Sequence, residues 1–241
     1  MNLLYKLFNK EKIKKQKETI FLLDEFIKNI YFGEDLTQKE SMRNLEEGLV
    51  EIIYNNGNHA SNGLLITENG YFLTAKHCIK NNSGSLKIRL YNGNVYSIKK
   101  AYFYGRIEED ISIAKADIQT SCNVKKYKIF NTNNILSDFN KISVALLTRR
   151  NNKINTSYGF INKWECKKVK LLDGSYLVNQ FSLNILSKQG DSGGIFISPD
   201  GRLVGILAAG DSSNFATGVK ILNVLELVYY YKNKIQKELY K

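Results

Sequence analysis

The sequence predicts a mostly β fold, built as a sandwich or as barrels and framed by a helix at each end. Three observations predict it. After Gly48 the chain breaks into short runs rich in Val, Ile, Tyr and Phe, separated by Asn, Gly, Ser and Asp, which is the texture of strands and turns. Before that point, Ile13, Ile20, Leu23, Ile27 and Ile30 fall near helical spacing between lysines and acids. Near the end, Leu222, Leu225, Val228 or Tyr229, Ile235 and Leu239 return to the same period.

In chain order, an amphipathic helix is expected over Lys12–Ile30 and is interrupted by Gly33. Thr37-Gln38-Lys39-Glu40 has the Ser/Thr-x-x-Glu pattern of a capping box and starts a second helix that runs toward Glu47. About eleven strands follow: Gly63–Thr67, Tyr71–Thr74, Leu86–Leu90, Tyr96–Tyr102, Ile111–Ala116, Lys141–Thr148, Ser157–Asn162, Tyr176–Leu183, Gly194–Ser198, Leu203–Ala209 and Thr217–Ile221. Many short strands at this spacing favour a sandwich or barrels. The divisions expected are 1–48 as a helical extension, 49–125 as a first β unit, and 126–241 as a second with the closing helix.

Composition narrows the functional classes. With 241 residues, 43% hydrophobic and 24% charged, the chain can build a core and is not disordered, collagen-like or coiled coil. No apolar run approaches the roughly 18 residues of a spanning helix, and Lys6 breaks the opening Leu3-Leu4-Tyr5 run, so a secretory signal is not expected. Cys78, Cys122 and Cys166 lie far apart and form neither a disulfide framework nor a metal pattern. Reduced thiols and a cytoplasmic location are the expectation. Of the net charge of +12, residues 1–17 supply +5 and residues 232–241 supply +3. Basicity concentrated at the ends fits an acidic partner or a membrane surface near residues 1–48 better than a nucleic-acid groove through the body. Solvated helix faces account for the same lysines.

Gln189-Gly190-Asp191-Ser192-Gly193-Gly194 is a small-residue turn that presents one hydroxyl and runs into the apolar Gly194-Ile195-Phe196-Ile197. Glycine there lets backbone N–H groups approach a ligand, so a nucleophilic serine could sit beside amide donors; a plain hairpin turn reads the same residues. A serine nucleophile needs a base, and the chain offers two histidines. His59 lies in a polar loop and reads as an exposed structural residue. His77 follows the strand ending Thr74-Ala75, where rigid backbone can aim an imidazole. The base needs an orienting carboxylate, and Asp110 of Glu108-Glu109-Asp110 adjoins the apolar Ile111-Ser112-Ile113-Ala114.

Thr74-Ala75-Lys76-His77-Cys78, Asp110-Ile111-Ser112-Ile113-Ala114 and Gly190-Asp191-Ser192-Gly193-Gly194 resemble the three catalytic segments of trypsin/chymotrypsin-like serine peptidases, and stand in that family's order. The resemblance spans about Leu49 to Lys241. It implies an all-β fold of two packed six-stranded antiparallel β-barrels with the site in the cleft between them. It implies that Ser192 attacks the scissile carbonyl, His77 moves the proton, Asp110 holds His77, and the N–H groups of Gly190 and Ser192 form an oxyanion hole. The segment Leu207, Ala208, Ala209 and Gly210 matches the strand that pairs with an extended polypeptide substrate. No cofactor and no metal are implied.

Departures from the family pattern carry information. The disulfide partner of Cys78 is missing, and Lys188 stands where a second bridge would begin, as in intracellular or bacterial branches. The primary specificity pocket takes Leu186 as its floor and Gly210 and Gly218 as its walls, which would favour an apolar or aromatic side chain over Lys or Arg. Two other functions compete with hydrolysis: a catalytically silent protease fold used for binding, and a basic nucleic-acid or membrane-surface protein, with nucleic acid disfavoured by where the charge lies.

Overall fold

The computed structural model describes residues 13–14, 16–21, 23–25, 27, 36–79, 85–102, 109–118, 126–130, 142–171, 175–211 and 214–239. Cys122, Glu108 and the lysines before Ile13 lie outside the described residues. Helical backbone occurs at the described positions between 13 and 27, followed by α1 (Gln38–Gly48). Thr37 caps α1 through the expected box: its hydroxyl accepts from Glu40 N at 3.2 Å, and the Glu40 carboxylate accepts from Thr37 N at 2.9 Å.

Twelve strands form two closed antiparallel barrels of six. The first orders β1 (Leu49–Tyr54), β2 (His59–Leu65), β3 (Tyr71–Ala75), β6 (Ile111–Ala116), β5 (Val95–Tyr102) and β4 (Leu86–Arg89). The second orders β10 (Ile195–Ile197), β11 (Leu203–Gly210), β12 (Phe215–Lys220), β9 (Tyr176–Asn184), β8 (Lys153–Lys170) and β7 (Ser143–Arg150). A one-turn helix, α2 (Lys76–Ile79), follows β3, and α3 (Ile221–Leu239) closes the fold. The eleven expected strands are present with shifted ends. β1 is the addition, and its Leu49-Val50-Glu51-Ile52-Ile53 shows no alternation because all five residues are buried.

Burial on both faces is what packs the barrels together. Val50, Ile52, Phe72 and Ile88 fill the first barrel, while Phe181, Phe196, Trp164 and Leu183 fill the second. Side chains of opposite parity on the same strands, including Leu73, Ile113, Leu147 and Ile195, meet in a third and larger cluster that also takes Leu45, Val224 and Tyr231 from the helices. α1 therefore lies on its own barrels rather than standing free: Leu45 is fully buried, Ser41 Oγ donates to Gly201 O at 2.6 Å, and Asn44 Nδ2 donates to Lys126 O at 3.0 Å. Lys232 on α3 ties down Asp24 of the N-terminal segment at 2.6 Å. Among the described residues no helix is long and apolar enough to cross a membrane.

Candidate active site

Strand register brings His77 and Asp110 together. Ala75 pairs with Ile111, so the residue entering β6 faces the residues leaving β3, and Lys76 N donates to Asp110 O at 3.0 Å. The Asp110 carboxylate then accepts twice: from His77 N at 3.0 Å and from His77 Nδ1 at 2.6 Å. A carboxylate only accepts, so Nδ1 carries hydrogen and Nε2 of the neutral ring is the basic nitrogen. Asp110 does this at φ +52°, a left-handed conformation that Asp tolerates better than most side chains. The acid is 12% exposed and the imidazole 53%. Burial opposes charge on His77, but the hydrogen bond to Asp110, the Cys78 sulfur and the carboxylate charge outweigh it and hold the imidazolium well above the usual histidine range. His77 Nε2 lies 3.6 Å from Cys78 Sγ.

The serine turn sits against the same rim. Gly190 and Gly193 take φ +92° and +78°, which lets the chain fold back on itself between Lys188 and Gly194. Asp191 N donates to Lys188 O, Gly193 N to Leu207 O and Gly194 N to Asp191 O, each at 2.8–3.0 Å. The N–H groups of Gly190 and Ser192 find no acceptor among the described residues. The turn touches the first barrel where Asn62 N donates to Ser192 O at 2.8 Å. A Cβ on Gly193 would lie 1.9 Å from Asn62 O and 2.6 Å from Thr74 Oγ1, three residues before His77. Gly193→Ala should thus lower unfolding free energy by at least ~1–3 kcal/mol in denaturant titration, from backbone strain alone. Ser192 Oγ and His77 Nε2 form no hydrogen bond with each other, and the contact of Nε2 is Cys78 Sγ at 3.6 Å; catalytic bonds are often long before substrate arrives.

His59 departs from the sequence expectation. Its side chain is 9% exposed and spans the cleft, with Nδ1 2.9 Å from Glu51 Oε1 and Nε2 2.9 Å from Gly190 O. Glu51, fully buried, also accepts from Arg89 Nη1 at 2.8 Å, Asn151 N at 2.9 Å and Asn152 N at 3.3 Å. Burial opposes its ionisation, yet the hydrogen bonds from His59, Asn151 and Asn152 and the charge of Arg89 hold the carboxyl down to about 2. A polar loop in sequence gave no sign of this, because the partners come from four separate segments. The one available signal was Glu51 itself, a lone acid within an apolar run.

At the expected pocket, neighbouring residues turn opposite ways. Exposure alternates from Asn184 to Ser187, so Ile185 and Ser187 point inward and Leu186 outward. Leu186, 41% exposed, lines a separate cavity of about 760 Å³ with Tyr158, Phe160 and Asn214. It is Ser187 that faces Gly210: a Cβ on Gly210 would lie 1.9 Å from Ser187 Oγ. Gly218 is covered by the rings of Phe181 and Phe196. β10 pairs with β11 from Leu203 to Ile206, so past the Leu207 bonds to Gly193 and Gly194 the edge of Ala208, Ala209 and Gly210 faces no strand on that side among the described residues. Among the described residues no cluster of three or more His, Cys, Asp or Glu is arranged to hold a metal ion.

Comparison with solved structures finds a likeness to the protease domain of MamO from Magnetospirillum magneticum in its apo form, at TM-score 0.60 and 13% identity, covering 76% of this chain and 96% of that one. At that identity the likeness establishes the fold alone. No curated protein sequence matches. The Trypsin family model matches residues 38–235, from the first residue of α1 into α3 and through every strand of both barrels. With that match spanning both barrels and all three motifs, the chain belongs to the trypsin family.

Proposed function

We propose that this protein is a serine endopeptidase that cleaves an extended polypeptide through Ser192, His77 and Asp110. The observation that carries the proposal is the conjunction of a doubly hydrogen-bonded His77–Asp110 pair with two amide N–H groups, those of Gly190 and Ser192, that have no acceptor among the described residues, on a turn bonded to the same barrel through Asn62 N. In the proposed reaction Ser192 Oγ adds to the scissile carbonyl as its proton passes to His77 Nε2, and the two amides take the charge developing on the carbonyl oxygen. His77 then returns the proton to the leaving amine, and water hydrolyses the acyl-enzyme. The open edge at Ala208–Gly210 would receive the substrate as an added strand. Free Cys78 and Cys166 fit a reducing, cytoplasmic setting.

Ser187 against Gly210 narrows the primary slot, so a small side chain fits there better than an aromatic one. The same contact, with the absence of a Ser192–His77 bond, favours a second reading in which the fold binds peptides without cutting them. A fluorophosphonate probe separates the two. Labelling of wild type but not of Ser192→Ala supports hydrolysis; equal silence in both supports the binding module. Cleavage of a peptide library by unlabelled wild type reads the slot, with small residues expected before the cut.

A further inference from the structure

We propose that Arg150, together with the Glu51–His59 pair, is a positioning device for the oxyanion hole, clamping its peptides from outside; this rests on the hydrolytic reading above. The hole's first donor is the N–H of Gly190, which belongs to the Gln189–Gly190 peptide. A trans peptide points its C=O and N–H in opposite directions, so fixing the carbonyl fixes the donor. Arg150 Nη2 donates to Gln189 O at 2.7 Å. The next peptide is held the same way. Gly190 O accepts from Asn62 Nδ2 at 3.0 Å and from His59 Nε2 at 2.9 Å.

Both ring nitrogens of His59 face acceptors, the Gly190 carbonyl and the Glu51 carboxylate, so each must carry hydrogen for both contacts to be bonds. Gly190 is gripped on two sides: a Cβ there would lie 2.8 Å from His59 Cδ2 and 2.9 Å from Arg150 Nη2. At φ +92° a glycine can rotate either adjacent peptide at little steric cost, so these grips add to the turn's own bonds between Lys188 and Asp191 in fixing the direction of the Gly190 N–H. The clamp also crosses the barrels. Glu51 and His59 come from β1 and β2, Arg150 from the end of β7, and Glu51 accepts the N–H groups of Asn151 and Asn152 that follow Arg150. The Gly190–Asp191 peptide of one barrel, which follows the donor, is thus held by the buried Glu51–His59 contact of the other. Arg150 and His59 touch no substrate in this scheme and act through the backbone of the turn.

Arg150 is the cleaner test, since its side chain is 39% exposed; its Nη2 also lies 3.9 Å from the Asp191 carboxylate, which is 14% exposed, and Arg150→Lys keeps a cation for that acid as well as a donor. In steady-state kinetics on a peptide cleaved by wild type, Arg150→Ala should lower kcat about 10- to 100-fold with KM changed less than about threefold, short of the ~10²–10³ loss seen when a donor is removed outright. Arg150→Lys, which keeps a donor for Gln189 O, should recover most of the rate. His59→Gln should show the same split if it folds, judged by its thermal unfolding. Wild-type turnover that Arg150→Ala leaves unchanged, or a loss confined to KM, overturns the clamp alone. A wild type as silent as Ser192→Ala overturns the hydrolytic reading and the clamp with it.

Discussion

His77→Ala should lower kcat by roughly 10⁶-fold, and Asp110→Asn by about 10⁴-fold, in the proposed peptidase. The two differ because Asp110 moves no proton; it holds the ring through the Nδ1 bond at 2.6 Å and the backbone through the His77 N bond at 3.0 Å, and leaves Nε2 as the nitrogen without hydrogen. Asn in its place can present an N–H to Nδ1 and turn the tautomer the wrong way. The pH profile gives an independent reading. A base works only when neutral, and His77 holds its proton above the ordinary histidine range of about 6.5, so the rising limb of kcat/KM in wild type should lie on the alkaline side of that value. Asp110→Asn removes both a hydrogen bond and a charge that favour the imidazolium, and should move the limb toward acid. Cys78→Ala should move it the same way by less, with little loss of maximal rate. A limb that stays put in Asp110→Asn would detach the acid from the base.

Glu51→Ala should destabilise the protein by about 3–5 kcal/mol in equilibrium unfolding, the range for breaking one side of a buried charge network. The carboxylate is fully buried and receives His59, Arg89 and two backbone amides. Its removal leaves all four donors unmatched at the join between the barrels. The sign with pH follows from its depressed pKa. A carboxyl at about 2 when folded and 4.5 when unfolded contributes stability that is complete above about pH 4.5 and lost as pH falls through about 2, amounting to ~3 kcal/mol. Wild type should therefore weaken steeply across that interval, and Glu51→Gln should flatten that part of the curve. An unchanged acid slope in Glu51→Gln would place the sensitivity in other carboxylates.

Local periodicity and short motifs made much of this molecule legible. Thr37 and Glu40 wrote the start of α1, alternation and turn residues wrote eleven of the strands, and the spacing of His77, Asp110 and Ser192 gave the family and through it the barrels. β1 was hidden because a strand buried on both faces has no alternation to show. Motif spacing counts residues and cannot say that Leu186 is exposed while Ser187 beside it is buried, because the parity of the strand decides which of two neighbours turns inward.

By itself the sequence determined the order of the elements and every strand but β1, and pointed to the acid, the base and the hydroxyl of the proposed site, since each is written in neighbouring residues. Only the tertiary structure decided that His59 is a buried cross-barrel link and that Ser187 meets Gly210. Closing two barrels and packing their outer faces sets residues as far apart as Glu51, His59, Arg150 and Gly190 within hydrogen-bond reach, and no local pattern along the chain encodes a contact made at that separation.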